Sequence, residues 1–178
     1  NSLIDFPGTI ACVVFTRGCN FTCPYCHNPD LAAGTAVPDG GGGSGSNQLN
    51  PGRAGNPDQK KILEFLNKRK GMIEGVVITG GEPTIQTDLT DFIQTARQMG
   101  YKIKLDTNGT APKVIDALFD QGLVDYLAMD IKTDTGHYPM VMKNPGQLDR
   151  VMESISLVMK KAPAYEFRTT CAKPFVTP

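Results

Sequence analysis

Continuous apolar runs alternate along the chain with segments in which apolar residues recur every three or four positions. The run at residues 10–16, IACVVFT, is rich in β-branched residues and lacks polar alternation, which is typical of a strand buried on both faces. Residues 88–99 instead place Leu89, Phe92 and Ile93 on one helical face. The same criteria predict strands at residues 10–16, 75–79, 102–106, 125–131 and 165–169, and helices at residues 59–69, 88–99, 112–120 and 148–160.

This strand and helix alternation predicts parallel strands joined by helical crossovers, and hence an α/β fold built as an open sheet or a partial barrel. Functional groups of such folds lie beyond the carboxyl ends of the strands. Four predicted strands run into polar segments, which read RGCNFTCPYC, GGEPT, DTNGT and MDIKTD. We therefore expect one functional edge, although an Asn-Gly pair by itself is equally typical of an ordinary turn.

Length and charge restrict the classes of partner. The chain has 178 residues, which suits a single domain over residues 1–178, and its 18 Lys and Arg residues balance 18 Asp and Glu residues. Without a basic block, no nucleic-acid partner is expected. No apolar run approaches the roughly 20 residues of a membrane span and no charged leader is visible, so we expect no membrane partner and a cytoplasmic location.

One segment has a composition that cannot fill a core. Residues 37–57 are dense in Gly, Pro, Asn and Ser, which predicts a flexible loop. Whether this loop is natural or an inserted linker stays open at the level of sequence.

Three of the five cysteines, Cys19, Cys23 and Cys26, fall within eight residues. An odd, clustered set indicates metal ligation or redox chemistry in a reducing compartment rather than a disulfide framework. Three thiolates are one short of a complete shell for zinc or an ordinary iron–sulfur cluster. Cys23 and Cys26 also form, with His27, the C-x-x-C-H pattern to which c-type haem is attached.

The C-x3-C-x2-C motif after the first strand, together with GGEP after the second, resembles the radical S-adenosylmethionine (SAM) superfamily. SLIDFPG, HNP, VITGGEPT, DTNG and MDIK resemble, more narrowly, activating enzymes of glycyl radical proteins, especially the anaerobic ribonucleoside-triphosphate reductase activating proteins. The resemblance covers nearly the whole chain outside the Gly-rich loop. It implies a partial (β/α) barrel of parallel strands and, since family barrels usually continue to a sixth strand, a chain truncated before that strand.

The resemblance also implies the chemistry. Cys19, Cys23 and Cys26 would hold three irons of a [4Fe–4S] cluster and leave the fourth iron open for S-adenosylmethionine. Reductive cleavage of S-adenosylmethionine would give a 5′-deoxyadenosyl radical that abstracts hydrogen from a glycine of a partner glycyl radical enzyme. A reductant such as flavodoxin or ferredoxin would supply the electron.

Cofactor-binding residues follow from the same resemblance. Gly80, Gly81, Glu82 and Pro83 are expected to direct backbone polar groups at the methionine amino group, with the two glycines allowing close approach. Tyr25 occupies the position that packs beside adenine.

Asp106, Thr107, Asp130 and Lys132 are expected near the methionine carboxylate and the ribose, in some family members with a monovalent cation. For Lys132, an ordinary exposed cation at a strand end is the structural alternative.

Two other functions remain open. A radical SAM enzyme that acts on a small molecule or a peptide would carry the same motifs, because these report the radical generator and not its target. A non-catalytic zinc or haem c module would use the same cysteines without SAM.

Overall fold

Five parallel strands form one sheet, and they lie side by side in the order in which they occur along the chain. The computed structural model describes residues 2–34, 57–144, 146–173 and 176. The predicted strands and helices are confirmed there, with ends displaced by two residues or fewer, whereas the predicted loop lies outside the described residues except for its last position. The elements are β1 (Ala11–Thr16), α1 (Pro29–Ala33), α2 (Pro57–Lys68), β2 (Gly75–Gly80), α3 (Leu89–Gln98), β3 (Lys102–Thr107), α4 (Pro112–Asp120), β4 (Tyr126–Asp130), α5 (Gln147–Lys161) and β5 (Tyr165–Arg168), with 3-10 turns at Pro83–Ile85 and Tyr138–Met140.

The strand order identifies the architecture. A doubly wound sheet reverses its strand order at a switch point, whereas this sheet runs from β1 to β5 without reversal and therefore has the winding of a partial (β/α) barrel. Strand residues on its outer face share one core with residues of α2 to α5, and each fully buried leucine or isoleucine there contributes about 1.5–3 kcal/mol. That core includes Val76, Ile78, Ile103, Leu105, Leu127 and Met129 of the strands and Leu66, Ile93, Ile115 and Val151 of the helices.

The opposite side of the sheet, which we call the inner face, carries Val13, Val77, Lys104 and Asp106. The N-terminal segment, residues 2–9, packs on this face. Ser2 pairs with Ala11 in an antiparallel bridge. Phe6, 4% exposed, packs against Ala11 and Val77.

The position of β1 differs from the prediction. Its apolar run indicated burial on both faces, but β1 is an edge strand and its Phe15 is 53% exposed. Burial on both faces occurs in the central strands instead, for example in β2, where Val76, Val77 and Ile78 are at most 1% exposed. An apolar run indicates a strand, but it does not specify how many neighbours the strand has.

One short helix was not predicted. Helix α1 has five residues and begins with a proline, so it lacks the length over which helical periodicity can be recognised. Its carbonyl groups hold the cysteine-containing segment, as described next.

Candidate functional site

The three clustered cysteines lie in a loop, residues 17–28, that leaves the carboxyl end of β1; we call it the cysteine loop. Backbone hydrogen bonds fix its entry, since the N–H groups of Gly18 and Cys19 donate to Leu31 O and Ala32 O of α1 at 2.7 and 3.0 Å. Farther along, Thr22 N donates to Val141 O at 2.8 Å. The loop is thus held from two sides by neighbouring backbone.

The thiols of Cys19, Cys23 and Cys26 are half-buried, and none forms a disulfide. Burial is the largest influence that raises the pKa of Cys19, and it raises the pKa of Cys23 to about 11, while the charge of Lys132 opposes both shifts. A second lysine, Lys143, donates from Nζ to Cys19 O at 2.8 Å. Lys132 therefore favours the thiolate form in which a metal must bind Cys19 and Cys23, and Lys143 is held at the backbone of the same loop.

Within the described ranges, no three His, Cys, Asp or Glu side chains converge on the position of a single metal ion. A zinc site needs its sulfur ligands within about 2.3 Å of one ion. A [4Fe–4S] cluster distributes its thiolates over different irons, so its ligands need not converge in this way.

Glu82, in the turn formed by residues 80–83 (the GGEP turn), is 1% exposed and accepts hydrogen bonds on both carboxylate oxygens. Oε1 accepts from Thr84 N, Thr84 Oγ1 and Thr107 Oγ1 at 3.1, 2.5 and 2.6 Å, and Oε2 accepts from Asn108 N at 2.7 Å. Burial raises the pKa of Glu82, and these hydrogen bonds oppose the rise. The Glu82 side chain thus joins the carboxyl ends of β2 and β3, and the expected approach of its backbone to the methionine amino group stays a prediction.

A second polar network continues from there to the cysteine loop. Asn108 Nδ2 donates to Asn20 Oδ1 at 2.8 Å, and Asn20 Nδ2 donates to Thr110 Oγ1 at 2.6 Å. Asn108 Oδ1 in turn accepts from Thr110 N and Thr110 Oγ1 at 3.0 and 2.7 Å. From the sequence, Asn108 was interpreted as a turn residue and Asn20 was not selected. The two residues are 88 positions apart, and a contact over that separation leaves no local sequence pattern.

Gly80 and Gly81 have close backbone neighbours within the protein, and their expected close approach to S-adenosylmethionine stays a prediction. A Cβ on Gly81 would lie 2.0 Å from Gly18 O, and a Cβ on Gly80, whose φ is +112°, would lie 2.5 Å from Thr16 N and Thr16 O. The close approach that they allow is between the GGEP turn and the start of the cysteine loop. The backbone N–H groups of Gly81 and Glu82 already donate to Thr16 O and Gly18 O at 2.9 and 2.8 Å. Carbonyl oxygens of this turn are therefore the groups suited to an ammonium ligand.

The inner face brings together three of the four residues predicted near the methionine carboxylate and the ribose. Arg168 Nε lies 2.9 Å from Asp130 Oδ1, and its guanidinium also reaches Asp106 Oδ2 at 3.2 Å. Lys132 Nζ lies 2.9 Å from Asp130 Oδ2, so Lys132 is paired and 24% exposed, not a solvated strand-end cation. Thr107 does not join this group, because successive strand residues point to opposite faces and its hydroxyl donates to Glu82.

Asp106 has one carboxylate oxygen, Oδ1, that is buried and accepts no hydrogen bond. Lys104 Nζ is 3.3 Å from this oxygen, but the contact lacks hydrogen-bond geometry. Burial raises the pKa of Asp106, while the charges of Arg168 and Lys104 lower it. Lys104 and Arg168 were not selected from the sequence, although the alternation of KIKLD and YEFR places them on the same face as the selected carboxylates.

Tyr25 bridges the cysteine loop and the end of β4. Its hydroxyl donates to Lys132 O, and Lys132 N donates to Tyr138 Oη at 3.2 Å. Burial raises the pKa of Tyr25 to about 12. His27 is exposed. The contact of the Tyr25 ring with adenine stays a prediction.

A cleft of about 540 Å³ opens on the inner face near β1 and β2. Val13, Phe15, Val77 and Thr79 form its uncharged wall, and Asp106 lies at its border with the charged half of the face.

Comparison with known sequences places a family model and several relatives over most of the chain. A sequence model described as the radical SAM superfamily matches residues 13–168. A Methanocaldococcus jannaschii protein provisionally named as a glycyl-radical enzyme activating enzyme is 32% identical over 175 residues, covering 95% of this chain and 64% of its own. The 7-carboxy-7-deazaguanine synthase of Methanopyrus kandleri is 30% identical (85% and 60% covered), and the pyruvate formate-lyase-activating enzyme of Clostridium pasteurianum is 29% identical (86% and 59% covered). The chain thus spans less than two thirds of the length of these relatives.

Comparison with solved structures supports the fold. TYW1 with a lysine-pyruvate adduct bound aligns with a TM-score of 0.59 at 15% identity, over 93% of this chain and 56% of that chain. In the described part of the chain, no helix combines the length and apolarity that crossing a membrane requires.

The residues present fit the cofactors of this family, a [4Fe–4S] cluster and SAM. Three free thiols in one anchored loop match a cluster that takes three protein ligands. Asp106, which lines the cleft, has one buried oxygen that accepts no hydrogen bond, Oδ1, and an oxygen of this kind matches a ligand that carries hydroxyl and ammonium donors.

Gly81→Ala tests the contact between the GGEP turn and the cysteine loop. The new methyl group would overlap Gly18 O, and we expect iron binding and the free energy of unfolding both to decrease, the latter by more than about 2 kcal/mol. Gly146→Ala is the matched control, because its Cβ would meet its nearest neighbour at an ordinary 3.6 Å. Iron content per chain and urea unfolding measure both. Normal iron binding in Gly81→Ala would refute the contact.

Glu82→Gln tests the carboxylate that joins β2 and β3. A carboxamide has one acceptor oxygen, so a buried N–H of Thr84 or Asn108 would face another donor, and we expect the free energy of unfolding to fall by about 1–3 kcal/mol. Glu153→Gln on the exposed side of α5 should change it by less than about 0.5 kcal/mol. Equal urea midpoints for the two variants would contradict the assigned role.

Proposed function

The chain belongs to the radical SAM superfamily, and on that basis we propose that it is the radical-generating part of an activating enzyme for a glycyl radical protein. When bound, the cluster and S-adenosylmethionine supply a 5′-deoxyadenosyl radical that takes a hydrogen atom from a glycine of the partner. The observation that carries the proposal is the anchored cysteine loop, which holds three half-buried thiols. The backbone at the start of this loop is hydrogen-bonded directly to the backbone of the GGEP turn. Iron ligands and a turn suited to an ammonium group thus occupy one edge of the sheet.

Each group of residues has a distinct part in this proposal. Cys19, Cys23 and Cys26 hold the cluster and leave one iron without a protein ligand. Carbonyl groups of the GGEP turn accept from the methionine ammonium group. Lys132 lies where its charge favours the thiolates of Cys19 and Cys23, which offsets part of the negative charge that iron binding brings together.

Asp106 and Asp130 are proposed to orient the methionine and ribose end of the cofactor. Arg168 already pairs with both carboxylates, so any monovalent cation at this position would add to, or displace, a built-in positive charge. The tyrosine hydroxyl of Tyr25 keeps the cysteine loop in contact with the end of β4, where Lys132 lies.

A protein substrate is supported by the character of the cleft. Its β1 and β2 wall is uncharged, and Lys104, Lys132 and Arg168 of the neighbouring charged half each lie within 3.3 Å of a carboxylate. A phosphate-bearing small molecule requires cations directed at its oxygens, whereas a glycine-containing peptide segment does not. Two of the three relatives named above are named as activating enzymes, which also supports a protein substrate. By the sequence resemblance, the partner is an anaerobic ribonucleoside-triphosphate reductase, and the reductant is a flavodoxin or ferredoxin.

The second candidate is a radical SAM enzyme with a small-molecule or peptide substrate. The similarity to a 7-carboxy-7-deazaguanine synthase favours it, because that relative matches this chain about as well as the pyruvate formate-lyase-activating enzyme does.

Anaerobic reconstitution tests the cluster. We expect about four irons per chain and a broad brown absorbance band, and we expect Cys19→Ala, Cys23→Ala and Cys26→Ala each to abolish stable iron binding. Cys12→Ala and Cys171→Ala are the matched controls and should retain the iron. Unchanged iron content in the three loop variants would refute the ligand assignment, and a sharp Soret peak or a colourless zinc protein would support a non-catalytic module.

Transfer of the radical tests the partner. The reduced protein encoded by the gene, supplied with S-adenosylmethionine, should produce a glycyl-type doublet in the electron paramagnetic resonance (EPR) spectrum of a cognate anaerobic reductase, with release of 5′-deoxyadenosine. A reductase whose radical glycine is replaced by alanine should give no doublet. Cofactor cleavage and turnover of a small molecule, without a radical on such partners, would favour the second candidate.

A further inference from the structure

Lys104 is a buried lysine to which the proposed function has assigned no role. It lies in the middle of β3 on the inner face and is 3% exposed, although lysine is almost never fully buried unless it is paired. A lysine in this position must therefore be held by strong partners.

Its ammonium group joins three separate parts of the chain. Nζ donates to Asp5 O of the N-terminal segment at 2.6 Å and lies 3.3 Å from Glu166 Oε1 of β5. It is also 5.6 Å from the centre of the Tyr126 ring on β4, a cation–π distance. The remaining partner is Asp106 on its own strand, whose Oδ1 is 3.3 Å away.

The two oxygens of Asp106 are held differently. Oδ2 accepts from Arg168 at 3.2 Å, whereas Oδ1 is buried without a hydrogen bond and has the Lys104 charge beside it. Without Lys104, this oxygen would have no hydrogen bond and no charge beside it, and Arg168 would remain as a cation on the other oxygen of the carboxylate. A buried carboxylate that loses one of its cations is destabilised or changes its conformation. Asp106 also lines the cleft, as do Ser2 and Asp5 of the N-terminal segment.

We infer that Lys104 is a positioning residue that holds the Asp106 carboxylate in place at the border of the cleft, and that it makes the N-terminal segment part of the cofactor site. The inference rests on the proposed function, in which Asp106 orients S-adenosylmethionine. Lys104 itself does not touch the cofactor; it acts through Asp106.

Lys104→Met tests the inference, because methionine keeps an unbranched stem of similar length, with sulfur in place of one methylene, and lacks the ammonium group. With the cluster loaded, we expect the dissociation constant of S-adenosylmethionine, measured from the change in the EPR spectrum of the reduced cluster, to rise at least tenfold at normal iron content. Lys102→Met is the matched control, since Lys102 is exposed on the same strand, and it should stay within twofold of the parent protein.

The double variant Lys104→Met/Glu166→Gln separates positioning from stability. It removes one charge of each sign, so urea unfolding should recover toward the parent value while the affinity for S-adenosylmethionine stays low. Glu166→Gln alone leaves Lys104 beside Asp106 and should bind with the parent affinity. If Lys104→Met does not fold, the double variant and Glu166→Gln carry the test.

Two results would overturn the inference. The first is a Lys104→Met or double variant that binds S-adenosylmethionine within twofold of the parent protein. The second is a tenfold loss of affinity for S-adenosylmethionine in Glu166→Gln, which would show that cofactor binding depends on Glu166 and not on the contact between Lys104 and Asp106. Failure of the parent protein itself to bind S-adenosylmethionine with a loaded cluster would instead refute the proposed function, so the two failures are distinguishable.

Discussion

The buried carboxylate of Glu82 is the interaction on which the functional edge of this sheet depends. Both of its oxygens are used, since they accept from the backbone and hydroxyl of Thr84, from the hydroxyl of Thr107 and from the backbone of Asn108. An ion in this position is expensive to bury, and only a full set of donors makes it tolerable. The carboxyl ends of β2 and β3 are therefore fixed relative to each other.

The cysteine loop takes its position from that edge. The side chain of Asn108 donates a hydrogen bond to the side chain of Asn20 in the loop, and the backbone N–H of Glu82 donates to Gly18 O. Gly81 is required at this contact because any side chain there would overlap Gly18 O. The loop that carries the proposed iron ligands is thus attached to the strand end that carries the GGEP turn, which is the arrangement that the proposed radical generation on one edge requires.

The sequence predicted the order and type of the strands and of the four longer helices, because their periodicity and turn residues are local properties. It also placed Asp106, Asp130 and Lys132 together, since residues at the ends of parallel strands share an edge. It missed what depends on neighbours in space: the edge position of β1, the five-residue helix α1, and the partners of Asn20, Lys104 and Arg168. The Gly80 and Gly81 motif was recognised correctly, but the backbone that approaches those glycines belongs to the protein itself.

Hydrogen exchange at the amide of Asn108 tests this account most directly, because that N–H donates to Glu82 Oε2 at 2.7 Å. If the edge is organised by the polypeptide, exchange in the iron-free protein should occur only through global unfolding, far more slowly than at Gly136, whose N–H donates to an exposed carboxylate. Fast exchange at Asn108 in the iron-free protein, with protection appearing only after cluster binding, would contradict the account and assign the organisation of the edge to the cluster.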